Sequence, residues 1–141
     1  MVTDVKPERG RVLVVEDDEG TRRFLERSLR EEGLLVSSAG NAPEALRHLE
    51  GEPPDVILLD LTAPGSGGHA FLECLQRDPR LRDIPVVVGS NSCETYDWRP
   101  DDLGVVDVEQ KPYAVAHVTR TLRRVLHHRR DAARPEAHVR W

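Results

Sequence analysis

The sequence lacks the features by which several classes of protein are recognised. Its two cysteines, Cys74 and Cys93, stand far apart and outside any Cys-x-x-Cys spacing or Cys/His cluster, so no zinc site is indicated. No apolar run approaches the roughly 18 residues of a membrane-spanning helix. Residues 1–10 are polar and charged, without the apolar core of a signal peptide. We therefore expect reduced thiols and a cytoplasmic location.

A strong net charge is also missing. The 20 basic and 25 acidic residues give a formal charge of -5, which indicates neither a nucleic-acid partner nor a membrane partner. Arginines cluster between residues 120 and 130, and we interpret them as a solvated helix face. A helix-turn-helix would need roughly sixty further residues with their own core. With 141 residues, 38% of them hydrophobic, the chain has room for one domain with one core.

Five short apolar runs alternate with segments that have helical spacing. The runs are rich in β-branched residues, which is typical of strands buried on both faces of a parallel sheet. Between the runs, apolar residues recur at steps of three and four, which predicts amphipathic helices. This alternation predicts an α/β fold with a doubly wound, five-stranded parallel sheet. The strands are predicted at Arg11–Val15, Leu34–Ala39, Asp55–Leu59, Ile84–Val88 and Val105–Val108.

The helix after the fourth strand is the weakest element of this pattern. Few large apolar residues lie between residues 91 and 104, and Pro100 falls where the helix interior would be. Because proline disrupts a helix interior, we expect a short or irregular fourth helix. The last helix is predicted to begin after Lys111-Pro112. Its apolar spacing ends near residue 127, which predicts a flexible tail at residues 128–141.

Carboxylates follow two of the predicted strands at the point where each strand ends. Glu16, Asp17 and Asp18 come after the first strand, and Asp60 comes after the third. The carboxyl ends of parallel strands share one edge of the sheet, where open α/β sheets bind ligands. Carboxylates gathered there repel one another, which raises a pKa or recruits a cation. Mg²⁺ suits such a group of carboxylates because it prefers oxygen ligands. Any one of these acidic residues alone would be more typical of a solvated turn.

A hydroxyl and an ammonium group are predicted at the same edge. Ser90 follows the fourth strand, and Lys111 follows the fifth. Each residue alone is more typical of a turn or a solvated surface. Together, beside carboxylates that hold a cation, they supply what the oxygens of a phosphoryl group require. The sequence therefore predicts a phosphoacceptor site.

With these residues in order on the predicted strand ends, the chain resembles the receiver domain of response regulators in two-component signal transduction, across about residues 11–127. Glu16-Asp17 is similar to the acidic pair of that family, and Ser90 is similar to its Ser/Thr. Lys111-Pro112 is similar to its lysine-proline pair. The loop that begins Asp60-Leu61-Thr62-Ala63-Pro64 and reaches Gly68 is similar to its phosphoacceptor loop.

The resemblance implies a fold and a set of residue roles. The fold would be flavodoxin-like, with strand order 2-1-3-4-5. Asp60 would accept a phosphoryl group from a phosphohistidine, while Ser90 and Lys111 would bind the phosphoryl oxygens. A Mg²⁺ ion would be held by acidic side chains and by one backbone carbonyl. Those metal ligands would be Glu16, Asp17, Asp60 and, through its carbonyl, Thr62.

The resemblance also implies partners and a division of the chain. The partners would be a histidine kinase or phosphotransfer protein and an unknown downstream protein, with no direct contact to nucleic acid or membrane. A polar extension at residues 1–10 would precede a receiver domain at residues 11–127 and the tail at residues 128–141. We expect a single-domain response regulator. It would not be an enzyme, having at most slow self-phosphorylation and self-dephosphorylation.

Three departures from the family concern the output of the switch. The family carries an aromatic residue three positions before the lysine, and Val108 stands there. Asn91 follows Ser90 where a small residue is usual, and Pro100 lies in the fourth helix. An alternative is therefore a pseudo-receiver that signals, without phosphorylation, through a remodelled face of the fourth helix, fifth strand and fifth helix.

A second alternative is a phosphatase of the aspartyl-phosphate type. Such an enzyme would need an Asp-x-Asp motif, and here Thr62 stands in place of the second aspartate.

Overall fold

The computed structural model describes residues 10–61, 68–90 and 102–133. Within them, five parallel strands form one sheet in the order β2-β1-β3-β4-β5, which confirms the predicted doubly wound fold. The strands are β1 (Arg11–Val15), β2 (Leu35–Ala39), β3 (Val56–Asp60), β4 (Val86–Ser90) and β5 (Val105–Gln110). The helices are α1 (Glu19–Glu31), α2 (Ala42–Glu50), α3 (Gly68–Arg77) and α4 (Val115–Ala133), and a 3-10 turn spans Asp102–Gly104.

The sheet separates two hydrophobic cores. Alternate residues of the central strands face opposite sides, because side chains of a strand point up and down in turn. One core joins the sheet to α2 and α3, with Phe71 and Leu72 at its centre. The other joins it to α1 and α4 through Leu25, Leu29 and Leu122. β3 and β4 are buried along their whole length, and this explains their continuous apolar sequence.

Two caps fix the turns that leave the site edge of the sheet. The carboxylate of Asp18 accepts a hydrogen bond from the Thr21 N–H at 2.8 Å and so begins α1 directly after β1. Asn41 caps α2 in the same way through the Glu44 N–H at 2.9 Å. The Glu44 side chain reaches back to the N–H of Gly40 at 2.8 Å. Both helices therefore begin within a few residues of the strand that precedes them.

The fourth strand differs from its prediction. It begins at Val86 rather than Ile84, since the N–H of Ile84 still bonds to Leu81 in the turn after α3. Pro85 has no N–H to donate, and only its carbonyl joins the sheet, by accepting the Ile57 N–H. The strand also ends later than predicted, at Ser90 rather than Val88, so Ser90 belongs to the sheet itself.

The last helix also differs from its prediction. α4 continues through residues 128–133, where we expected the flexible tail to begin. Arginine and alanine are good helix formers, and the next proline along the chain is Pro135, so nothing in the sequence ends the helix earlier. The predicted short or irregular fourth helix falls largely on residues 91–101, outside the described residues. Among the described helices, none is both long and apolar enough to cross a membrane.

Candidate functional site

The strand ends converge as the sequence predicts. Val15 is the register partner of Leu59, so Glu16 and Asp60 come next along neighbouring strands. Asp60 is in turn the partner of Gly89 on β4. The carboxyl ends of β1, β3 and β4 therefore lie side by side at one edge of the sheet.

Three carboxylates meet at this edge. One oxygen from each of Glu16, Asp17 and Asp60 lies within 4.8 Å of the others. Glu16 is 1% exposed and Asp60 is 6% exposed, while Asp17 is open to solvent. Two buried carboxylates beside an exposed one form an oxygen-rich pocket with one open side, which fits a hard cation that retains several waters.

Lys111 inserts between the two buried carboxylates. Its Nζ lies 3.3 Å from Oε1 of Glu16 and 3.2 Å from Oδ1 of Asp60. Burial alone would lower the pKa of Lys111, but the charges of Asp60 and Glu16 outweigh it and hold that pKa above its usual value. The ammonium group therefore stays charged and offsets part of the negative charge.

One ammonium group does not neutralise the whole site. Burial and, next, the nearby charge of Asp60 together raise the pKa of Glu16 to about 7, against the opposing effect of Lys111. A buried carboxylate near the charge of another gains from a proton or from a cation. The donor set and its residual negative charge both fit Mg²⁺.

Asp18, the third acidic residue after β1, has a different role. Its carboxylate accepts from both the hydroxyl of Thr21, at 2.7 Å, and the Thr21 N–H. These two hydrogen bonds lower the pKa of Asp18. Asp18 therefore caps α1, which leaves Glu16 and Asp17 as the acidic residues after β1 that could hold a metal ion together with Asp60.

Ser90 and Lys111 are joined through the backbone. Ser90 is buried as the last residue of β4, and its carbonyl accepts the Lys111 N–H at 2.9 Å. This hydrogen bond holds the two predicted phosphoryl-binding residues at adjacent positions of the edge. Thr62, the predicted carbonyl ligand, lies outside the described residues, as do Asn91 and Pro100.

Val108 and Tyr113 lie on opposite faces of the sheet. Val108 is the partner of Val88 and is 38% exposed, so it does not take the place of a buried aromatic ring. Tyr113 instead packs against the core between the sheet and α4. Its ring centroid lies 5.6 Å from Nζ of Lys111, which is within reach of a cation–π interaction.

Sequence reasoning missed Glu109. This carboxylate is 2% exposed, and it accepts the hydroxyl of Thr121 at 2.5 Å. Its other oxygen lies 2.7 Å from Nδ1 of His117. The signals in the sequence were a glutamate two residues before Lys111 and a His/Thr pair spaced four apart on one face of α4.

Comparison with known proteins identifies a family and several relatives of this chain. The family model of the response regulator receiver domain matches residues 12–123. The chain is 44% identical over 78 residues to the response regulator PleD of Caulobacter vibrioides, covering 55% of this chain and 17% of PleD. It is 34% identical over 120 residues to the phosphate regulon transcriptional regulatory protein PhoB of Escherichia coli, covering 82% of this chain and 52% of PhoB.

A solved structure shares the fold over most of its length. The crystal structure of a sensor protein from Polaromonas sp. JS666 matches with a TM-score of 0.77 and 28% sequence identity, covering 86% of this chain and 99% of that chain. By contrast, the chain spans only part of each curated relative, about half of PhoB and less of PleD.

Proposed function

Because the chain belongs to the response regulator receiver domain family of two-component systems, we propose that Asp60 accepts a phosphoryl group from a histidine kinase or phosphotransfer protein. The support for this proposal is the position of Asp60 at the end of β3, paired with the Lys111 ammonium group and close to the carboxylates of Glu16 and Asp17. We propose the cytoplasm as the location, and a single-domain form remains a prediction.

The transfer would be a nucleophilic substitution at phosphorus. A carboxylate oxygen of Asp60 forms the new P–O bond, and the P–N bond of the donor phosphohistidine breaks. The imidazole leaves with the bonding electron pair and takes up a proton, so the product is an acyl phosphate on Asp60. Hydrolysis of the acyl phosphate would later return the carboxylate and inorganic phosphate.

The surrounding residues would lower the cost of the charge brought by the phosphoryl group. Glu16, Asp17 and Asp60 would hold Mg²⁺, with Thr62 contributing its carbonyl, and the ion would offset negative charge on the phosphoryl oxygens. Lys111, already paired with Asp60, would keep its charge beside the same oxygens. Ser90 would donate its hydroxyl to one of them, as the family resemblance implies.

The proposed output is a change in affinity for a protein partner rather than turnover of an external substrate. Exposed Val108 favours an output route that does not use an aromatic ring at this position. The alternative is a pseudo-receiver that signals without phosphorylation. An assay of phosphorylation separates the two.

The test is incubation of the purified protein with a small acyl phosphate or phosphoramidate and Mg²⁺, followed by intact mass spectrometry. We expect a gain of one phosphoryl group, absent in Asp60→Asn and absent when the metal is chelated. Asp83→Asn is the matched control, because this exposed aspartate precedes β4 at the opposite edge of the sheet. No gain in the unsubstituted protein would contradict the proposal and favour the pseudo-receiver.

A further inference from the structure

Gly89 leaves a gap in the sheet that the side chain of Tyr113 fills. A Cβ atom built on Gly89 would lie 1.8 Å from the hydroxyl oxygen of Tyr113 and 2.7 Å from its Cζ. The backbone of Gly89 does not have the positive φ that favours glycine, in contrast to Gly33 and Gly104. Position 89 therefore favours glycine because the Tyr113 ring leaves no room for a side chain, and not because the backbone needs the conformational freedom of glycine.

The gap lies in the row of residues that carries the site. Gly89 has Asp60 as its register partner on one side and Glu109 on the other. Residues paired in this way point to the same face of a sheet. The phenol ring, which lies against Gly89, is therefore on the same face of the sheet as Asp60 and Glu109. Burial, followed by the charges of Glu16, Asp60 and Glu109, raises the pKa of Tyr113, so its hydroxyl stays neutral there.

The Tyr113 ring also lies close to the side chain of Lys111. Tyr113 follows Lys111 by two residues, and the ring centroid lies 5.6 Å from the ammonium nitrogen. The backbone of Lys111 is tied to the carbonyl of Ser90. The Tyr113 ring, packed against Gly89, restricts the backbone that follows Lys111. It thereby limits where the long, flexible side chain of Lys111 can lie.

We propose that Tyr113 is a positioning residue whose ring, lodged in the gap at Gly89, holds the Lys111 ammonium group between Glu16 and Asp60. The inference deepens the proposed function and rests on it for the role of Lys111 in phosphorylation. The placement of Lys111 itself can be measured without any phosphoryl transfer.

The first experiment measures the reactivity of Lys111. Lys6 and Lys111 are the only lysines of the chain, so Lys6 is an internal reference. Trace labelling with acetic anhydride, followed by mass spectrometry of the peptides, gives the ratio of the two acetylation rates. We expect Lys111 to react at least threefold faster, relative to Lys6, in Tyr113→Leu than in the unsubstituted protein. An unchanged ratio in folded Tyr113→Leu would overturn the proposal.

The second experiment separates positioning from ordinary packing. We expect Tyr113→Leu to lower the phosphorylation rate about tenfold without weakening Mg²⁺ binding, because an ammonium group that has moved away from Glu16 and Asp60 competes less with the metal. Tyr113→Phe keeps the ring and should recover the rate to within about threefold. A parallel loss of rate and Mg²⁺ affinity, or no recovery with phenylalanine, would indicate general loosening and contradict the proposal.

The third experiment tests the gap itself. Gly89→Ala displaces the ring and should lower the rate as Tyr113→Leu does, whereas the double variant Gly89→Ala/Tyr113→Leu should be no slower than Tyr113→Leu alone. Additive losses would contradict a shared mechanism. Absence of phosphorylation in the unsubstituted protein contradicts the proposed function, while equal rates in that protein and Tyr113→Leu contradict the role of Tyr113 alone.

Discussion

Lys111 and Asp60 form an ion pair across the sheet edge, with Nζ 3.2 Å from Oδ1, and the same ammonium group lies 3.3 Å from Glu16. One cation is thus shared by two buried carboxylates. This relationship means that the charge balance of the site depends on Lys111 when no metal is bound.

Replacing Lys111 with methionine should therefore destabilise the metal-free protein. The two carboxylates would remain buried with their mutual repulsion unopposed. We expect a loss of about 1–3 kcal/mol in the free energy of unfolding at pH 8, less than for a fully buried pair because the site opens to solvent. Urea denaturation with and without Mg²⁺ measures it. Mg²⁺ should stabilise Lys111→Met more than the unsubstituted protein. Equal stabilisation would contradict the claim that Lys111 offsets the charges of both carboxylates when no metal is bound.

The affinity for Mg²⁺ should depend on pH near neutrality. Because the pKa of Glu16 is raised to about 7, a proton competes with the metal below that pH. We expect the apparent affinity to fall by up to about tenfold per pH unit below pH 7 and to level off above pH 8, since one proton is displaced. Calorimetric titration between pH 5.5 and 8.5 measures this, and Glu16→Gln should lack the dependence.

The same raised pKa affects the stability of the metal-free protein. The stability linked to the Glu16 proton is fully present below the unfolded value of 4.5 and is lost as pH rises through about 7. Relative to the unsubstituted protein, Glu16→Gln should show a flatter dependence of unfolding free energy on pH in that window. Parallel curves for the two proteins would be inconsistent with a raised pKa at Glu16.

Substitutions of the adjacent residues Asp17 and Asp18 should have different effects, because we expect Asp17 to bind the metal and Asp18 to cap α1. Asp17→Asn should weaken Mg²⁺ binding at least tenfold, because it removes one of three charged ligands. Asp18→Ala should change that affinity little and instead lower the midpoint of thermal unfolding through loss of the α1 cap. Calorimetry and thermal unfolding of both variants provide the comparison. A larger loss of Mg²⁺ affinity in Asp18→Ala than in Asp17→Asn would reverse the assignment of ligands.

Glu109 should be a structural anchor for α4. Glu109→Ala removes the partner of the buried Thr121 hydroxyl and should cost about 1–3 kcal/mol of unfolding free energy. His117→Ala is the matched control. The His117 side chain is 60% exposed, so its removal should cost less than about 1 kcal/mol. Chemical denaturation of both variants is the measurement, and equal losses would show that the buried hydrogen bond adds nothing.

Local patterns predicted much of the fold and site. The ends of β1, β3, β4 and β5 could be read from the sequence because apolar residues give way to polar residues there. The roles of Glu109 and Gly89 could not be read in this way. Each depends on a partner on another element, Thr121 or Tyr113, and such long-range contacts follow from register and packing rather than from neighbouring residues.

The central claim is that Asp60 is the phosphoacceptor, and chemical trapping tests it most directly. Borohydride reduces an acyl phosphate to an alcohol, so a phosphorylated aspartate becomes homoserine and can be located by peptide mass spectrometry. After treatment with a small phosphodonor and Mg²⁺, the account predicts homoserine at residue 60. Homoserine at another aspartate, or none at residue 60 in a phosphorylated sample, would contradict it.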